Sequence, residues 1–126
     1  MIAVVAALAE RDGKLLIARR PADRHMGGKW EFPGGKLERG ETPEEALRRE
    51  LKEELGVEAA VGRIRAAIPY SYPEKDVLLL FYAARLAGEP RPIDEAELCW
   101  VCPEELGRFD LAPVDALMAE RLTIQT

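Results

Sequence analysis

Histidine occurs once in this chain, at His25, and cysteine twice, at Cys99 and Cys102. A tetrahedral zinc site needs four nitrogen or sulfur ligands, and a nucleophilic triad needs a histidine beside an activated serine or cysteine. Neither can be assembled from so few residues, and His25 is read as structural or peripheral. In the alternating stretch LCWVC, residues three apart point to opposite faces of a strand, so the two thiols are read as packing residues rather than a pair. Long apolar runs are also missing. The first, IAVVAALA, has eight residues and no basic segment before it, which fits neither a membrane span nor a secretion signal. The expected location is therefore cytoplasmic, with no membrane partner. Clustered positive charge is absent too: the net charge is −5 and the basic residues are scattered, which argues against a nucleic-acid polymer as ligand.

What remains is a chain of 126 residues, 48% hydrophobic and 33% charged, without repeats or low-complexity segments. A chain of this size buries roughly two-thirds of its unfolded surface, so one domain over residues 1–126 is expected. Two apolar runs around ERDG predict a β-hairpin over residues 2–20. WEF reads as a short strand closed by PGG. Thr42, Pro43 and Glu45 supply an N-cap, a proline at the first helical position and a capping-box glutamate, so a helix is expected to run to Leu55 and stop at Gly56. Further strands are expected in VGRIRAAI and DVLLLFYAARL, joined by the turn-rich PYSYPEK, and in ELCWV. The segment PVDALMAERL reads as a closing helix. Together these predict an α/β (α+β) architecture, a mixed sheet sandwiched between helices.

Residues 34–57, GGKLERGETPEEALRRELKEELGV, carry seven glutamates. With about 100° per helical residue and Leu47 set at zero, Leu51 and Leu55 fall at about 40° and about 80°, the buried stripe. Glu54, Glu50 and Glu53 fall at about −20°, about −60° and about −120°, on one arc beside that stripe. Glu50 and Glu54 are four residues apart, where like charges destabilise a helix. No lysine or arginine falls on that arc, and oxygen ligands at this density suit a hard divalent ion such as Mg²⁺ or Mn²⁺. The competing reading is an acidic helix face bathed in solvent. Gly34 and Gly35 precede the helix and leave backbone open to a ligand, and Arg49, four residues before Glu53, is placed to orient that carboxylate.

Gly35, Glu41 and the run Arg49-Glu50-Leu51-Lys52-Glu53-Glu54-Leu55-Gly56-Val57 fit the signature of the Nudix hydrolases at every fixed position. The flanking ARRPADRHMGGKWEFPGGKLERGETPEEAL resembles the MutT branch of that family. The resemblance implies Mg²⁺-dependent hydrolysis (Mn²⁺ as an alternative) of a nucleoside triphosphate to the monophosphate and pyrophosphate, by attack of water at the β-phosphorus. Carried over residue by residue, it implies Glu50, Glu53 and Glu54 as metal ligands, with the Gly34 carbonyl and the adjoining Gly35 beside them. Glu50 is also the candidate base, and Arg49 is a candidate catalytic residue that orients the site rather than binding metal. A further acid is expected from DEAELCW: Asp94 stands six residues before Trp100, with Glu95 next to it, and the family's usual glutamate is replaced at the first of these.

For the substrate, Arg20 resembles a phosphate-contacting arginine of the MutT branch. Phe32 is a candidate wall of the base pocket or a core residue, and Lys36 and Lys75 are candidate nucleotide contacts, Lys75 reading equally as a solvated turn lysine. Asp115 falls where the MutT branch has an asparagine that reads the purine edge. An ionised carboxylate accepts hydrogen bonds but donates none, which leaves 8-oxo-dGTP possible and also resembles relatives preferring CTP or modified dCTP. Read on its own, Asp115 would be a first-turn acid favouring its helix dipole. The expected partner is a small nucleotide and the expected assembly a monomer or weak homodimer. A non-catalytic nucleotide-binding module is the reading from another class.

Overall fold

The computed structural model describes residues 1–124. In chain order it holds β1 (Ile2–Arg11), β2 (Lys14–Arg19), β3 (Trp30–Glu31), β4 (Gly34–Lys36), α1 (Pro43–Leu55), β5 (Glu58–Tyr72), β6 (Lys75–Ala87), β7 (Glu97–Val101), a 3₁₀ helix (Pro103–Arg108) and α2 (Pro113–Ile124). The sheet is mixed, as expected. β1 runs parallel to β6, while β4 lies antiparallel to β1 and β5 antiparallel to β6. β2 pairs with β3 and β7, extending the sheet on the other side.

β1 is apolar without alternation because both of its faces are covered. Val5, Ala7 and Ala9 join the cluster under α1, with Leu47, Leu51, Leu55 and Tyr82. Ala6 and Leu8 join the opposite cluster under α2, with Phe32, Phe81, Val114 and Met118. Helices therefore cover both faces of the sheet. The three leucines of α1 are fully buried, each worth roughly 1.5–3 kcal/mol. No helix among the described residues is long and apolar enough to cross a membrane.

The hairpin over residues 2–20 forms, with Asp12 and Gly13 at φ 53° and 77°, the two positive values a type I′ turn requires. It is shorter than expected: only Glu10 with Leu15 and Arg11 with Lys14 are paired, after which β1 and β2 part. The freed edge of β1 takes up β4 instead, so PGG does not close a strand; its two glycines begin one. PYSYPEK is likewise mostly strand. The β5–β6 ladder continues to Tyr72 and Lys75, and Pro69 fits within it because β5 is an edge strand whose outer side needs no donor. The 3₁₀ helix was not expected. α1 keeps its expected bounds: the Thr42 hydroxyl accepts from the Glu45 amide, Glu45 reciprocates to the Thr42 amide, and Gly56 closes the helix at φ 70°.

Candidate active site

The pairing of β4 with β1 sets Gly35 opposite Val5 and against α1. A β-carbon at Gly34 would overlap the Val5 carbonyl, and one at Gly35 would overlap the carboxylate of Glu50. The glycine pair is thus a steric requirement: it lets the acidic arc of α1 approach the backbone of β4. Glu50 is sheltered there, and burial pushes its carboxyl upward, helped by Glu53 and Glu38 and opposed by Arg49.

Arg49 is a hub. Its Nε and Nη2 donate to the two oxygens of Glu41 at 2.6 and 2.9 Å, a bidentate pair. Nη1 donates to Glu50 Oε1 at 2.9 Å and reaches Glu53 Oε2 at 3.4 Å, while Nη2 also donates to the Lys36 carbonyl at 3.1 Å. The expected contact with Glu53 is present, but it is the longest of the set. The main partner is Glu41, whose carboxyl is held below the usual range by that bond. Although the Arg49 backbone lies outside the acidic arc, its side chain reaches across to it.

Glu54 faces inward. Burial pushes its carboxyl up to about 9, with Glu95, Glu50 and Glu31 adding repulsion, and its Oε1 has no hydrogen-bond partner. Glu95 is only 9% exposed, and its Oε2 is likewise unpartnered. Its carboxyl is raised chiefly by burial, against the opposing pull of Arg20 and Arg24. Of the two acids expected near Trp100, the structure turns Glu95 inward and leaves Asp94 exposed. Two buried oxygens without partners are costly unless a donor or cation satisfies them, so this donor set fits a hard divalent ion. The carboxylates lie along an arc and not in a closed cage: among the described residues, no three His, Cys, Asp or Glu side chains are gathered for one ion. Mutual repulsion favours that spacing.

Beside the acids is a cavity of about 260 Å³, lined by Arg20, Glu31, Phe32, Gly34, Gly35, Lys36, Lys75 and Asp115 among others. All five expected substrate contacts border it. Phe32 is buried at the cavity wall, with its ring edge-on to Phe81 in the core and its amide donating to Asp115 Oδ1 at 2.9 Å. Asp115 is buried, and that burial pushes its carboxyl up to about 7 against the Phe32 and Asp115 amides and Arg20. It does stand in the first turn of α2, as its other reading expected, but within the interior. His25, outside the acidic cluster, touches the Tyr72 ring edge-on at 5.6 Å on the cavity rim.

Sequence reasoning missed Glu31. Its carboxylate pairs with Arg20 Nη1 at 3.2 Å, and burial, with Asp115 repelling it, pushes it up to about 8. It stands between the acids of the helix and the cavity. The signal was its place between Trp30 and Phe32, where an acid in an otherwise apolar strand calls for a partner. Arg20 is pinned further by Nε donating to the His25 carbonyl at 2.6 Å.

A mixed sheet covered on both faces carries an acidic helix laid over a glycine pair, beside a cavity lined by Arg20, Lys36 and Lys75, an arrangement suited to handling phosphate. The NUDIX domain family matches residues 1–122, and the chain belongs to that family. It is 42% identical to the CTP pyrophosphohydrolase of Escherichia coli K12 over 121 residues, covering 95% of this chain and 90% of that protein. It is 41% identical to the 8-oxo-dGTP diphosphatase of the same organism over 119 residues, covering 94% and 92%. The fold matches the solution structure of the E. coli ORF135 protein with a TM-score of 0.86 at 42% identity, covering 95% of this chain and 86% of that one. It also matches the MutT protein of Methanosarcina mazei Go1 with a TM-score of 0.89 at 29% identity, covering 98% and 94%. Nudix hydrolases are generally dependent on divalent metal.

Proposed function

We propose that residues 1–126 form a single catalytic domain that hydrolyses a nucleoside triphosphate to the monophosphate and pyrophosphate, with 8-oxo-dGTP as the leading substrate and nucleotide-pool sanitation as the role. The observation that carries this reading is the pair of unpartnered buried oxygens, on Glu54 and Glu95, beside a glycine-walled cavity. Glu50, Glu53, Glu54, Glu95 and the Gly34 carbonyl form the arc of oxygen donors from which the ligands of Mg²⁺, or Mn²⁺ in its place, would be drawn. Such an ion neutralises charge on the transferring phosphoryl group and acidifies coordinated water.

The chain's own groups do the rest. Glu50 accepts the proton of the attacking water at its carboxylate, which burial makes more basic than a free glutamate. Arg49, locked by Glu41, holds Glu50 in place. Arg20, Lys36 and Lys75 supply positive charge around the phosphates. Phe32 walls the base and Asp115 reads its edge. A cavity of about 260 Å³ suits a base and part of its sugar, so the phosphates extend over Gly34 and Gly35 toward the acids.

One observation favours a second reading, CTP or modified dCTP. Asp115 is a carboxyl group near its titration midpoint at neutral pH, so it can accept from or donate to a base edge, and a relative at 42% identity is a CTP pyrophosphohydrolase. Steady-state pyrophosphate release from 8-oxo-dGTP, dGTP, CTP and 5-methyl-dCTP with Mg²⁺ decides between them. A clear preference for 8-oxo-dGTP supports the leading reading and a preference for the cytidine nucleotides the second. Equal rates on all four remove both specificities, and no release from any would leave a nucleotide-binding module. We place the protein in the cytoplasm as a monomer or weak homodimer.

A further inference from the structure

The segment Pro90–Ile93 crosses the C-terminal end of α1. The last carbonyls of a helix have no partner within it. Here two of them are satisfied from outside: the Arg91 amide donates to the Leu55 carbonyl at 2.9 Å, and the Ile93 amide to the Glu54 carbonyl at 3.0 Å. Pro90 and Pro92 flank Arg91, and a residue before proline is held extended, so the strap is stiff before it docks. Gly56 makes room for it. A β-carbon there would stand 2.7 Å from Arg91 Nη2 and 2.9 Å from Ile93 Cδ1, so this glycine both ends the helix and admits the strap.

Glu95 follows two residues later. The Ala96 amide then donates to the Arg19 carbonyl at 2.9 Å. Glu95 is therefore held between two backbone bonds, one of them to Glu54 itself, whose side chain carries the other unpartnered oxygen. We propose that the Pro90–Ile93 strap is a positioning element for the cation site, fixing the Glu95 carboxylate opposite Glu54 through the backbone amides of Arg91 and Ile93. This inference rests on the cation-binding reading given under Proposed function.

Because coupling between sites is reciprocal, a strap that prepares the cation site must itself be tightened when the cation binds. In the wild-type protein, saturating Mg²⁺ should slow hydrogen exchange at the Arg91 and Ile93 amides several-fold. Arg91→Pro, which deletes the first amide donor, should weaken Mn²⁺ binding measured by titration about tenfold, as loss of an outer-shell partner does. Arg91→Ala, which keeps that amide, should bind within about threefold of wild type, and melting without cation should separate a folding defect from a binding defect. Unchanged exchange at both amides in wild type that binds Mg²⁺, or Arg91→Pro with wild-type Mn²⁺ affinity, overturns the proposal. Wild-type protein that binds no Mn²⁺ at millimolar levels sinks the cation reading and the strap together, a result distinct from failure of the strap alone. The exchange measurement needs no variant to fold.

Discussion

Replacing Glu54 by glutamine should abolish activity and yet stabilise the cation-free protein, and the size of that gain follows from the structure. The Glu54 carboxyl rises from 4.5 to about 9 on folding. A raised folded value means the folded state holds the proton over the range in which the unfolded chain has released it. Stability from this group is thus complete below about pH 4.5 and is lost as pH rises toward 9, at about 1.4 kcal/mol per pH unit. At pH 8 the loss is about 3–5 kcal/mol, part of it shared with Glu95 and Glu31, which repel the same charge. Glu54→Gln removes the ionisation and nearly preserves shape. Thermal unfolding in chelator should show the variant melting roughly 10 °C higher than wild type at pH 8 and within roughly 2 °C of it at pH 5. Saturating Mg²⁺ should raise the wild-type midpoint and leave the variant nearly unmoved. An equal gain at both pH values, or none at pH 8, would show that Glu54 is not held protonated by its surroundings.

Gly35→Ala should cut pyrophosphate release at least tenfold with the fold retained by circular dichroism, since the added carbon displaces the Glu50 carboxylate, the end of a flexible side chain. Arg49→Lys should cost on the order of 100-fold in kcat, because an ammonium cannot span both Glu41 oxygens and Glu50 together; rate measurements at saturating Mg²⁺ check it. Asp115→Asn should change the kcat/KM ratio of 8-oxo-dGTP to CTP at least tenfold and flatten any dependence of KM on pH around 7, read from pH profiles on both substrates. Thr42→Ala, which removes the cap of α1, should lower stability by about 1 kcal/mol in denaturant titration without altering KM.

Local chemistry made α1 legible in advance. The cap, the first-turn proline, the leucine stripe and the terminal glycine act within a few residues of one another, so their order along the chain is their order in space. The glutamates beside the stripe were legible for the same reason. The pairing of β4 with β1 was not, because Gly34-Gly35 reads as a turn until a distant strand edge accepts it. Pro69 misled similarly: only the position of β5 at the sheet edge makes proline harmless there. Among the site residues, Glu95 could be separated from Asp94 only by knowing which side of the loop faces inward. Glu31 acquires its meaning from Arg20, Asp115 and Glu95, all remote in sequence. Arg49 was placed correctly on the helix, yet its reach to Glu41 depends on how the preceding loop folds back.

β1 is gripped on both edges, by β6 along most of its length and by β4 near its start, with β2 at its far end. One residue inserted into Ile2–Arg11 would turn over every side chain beyond it, exchange the two cores and carry the Gly34–Gly35 backbone away from α1. Length variation among descendants of this chain should therefore collect at the Asp12-Gly13 and Pro73-Glu74 turns and spare this strand. An enzyme engineer grafting a new loop has the same two places to cut.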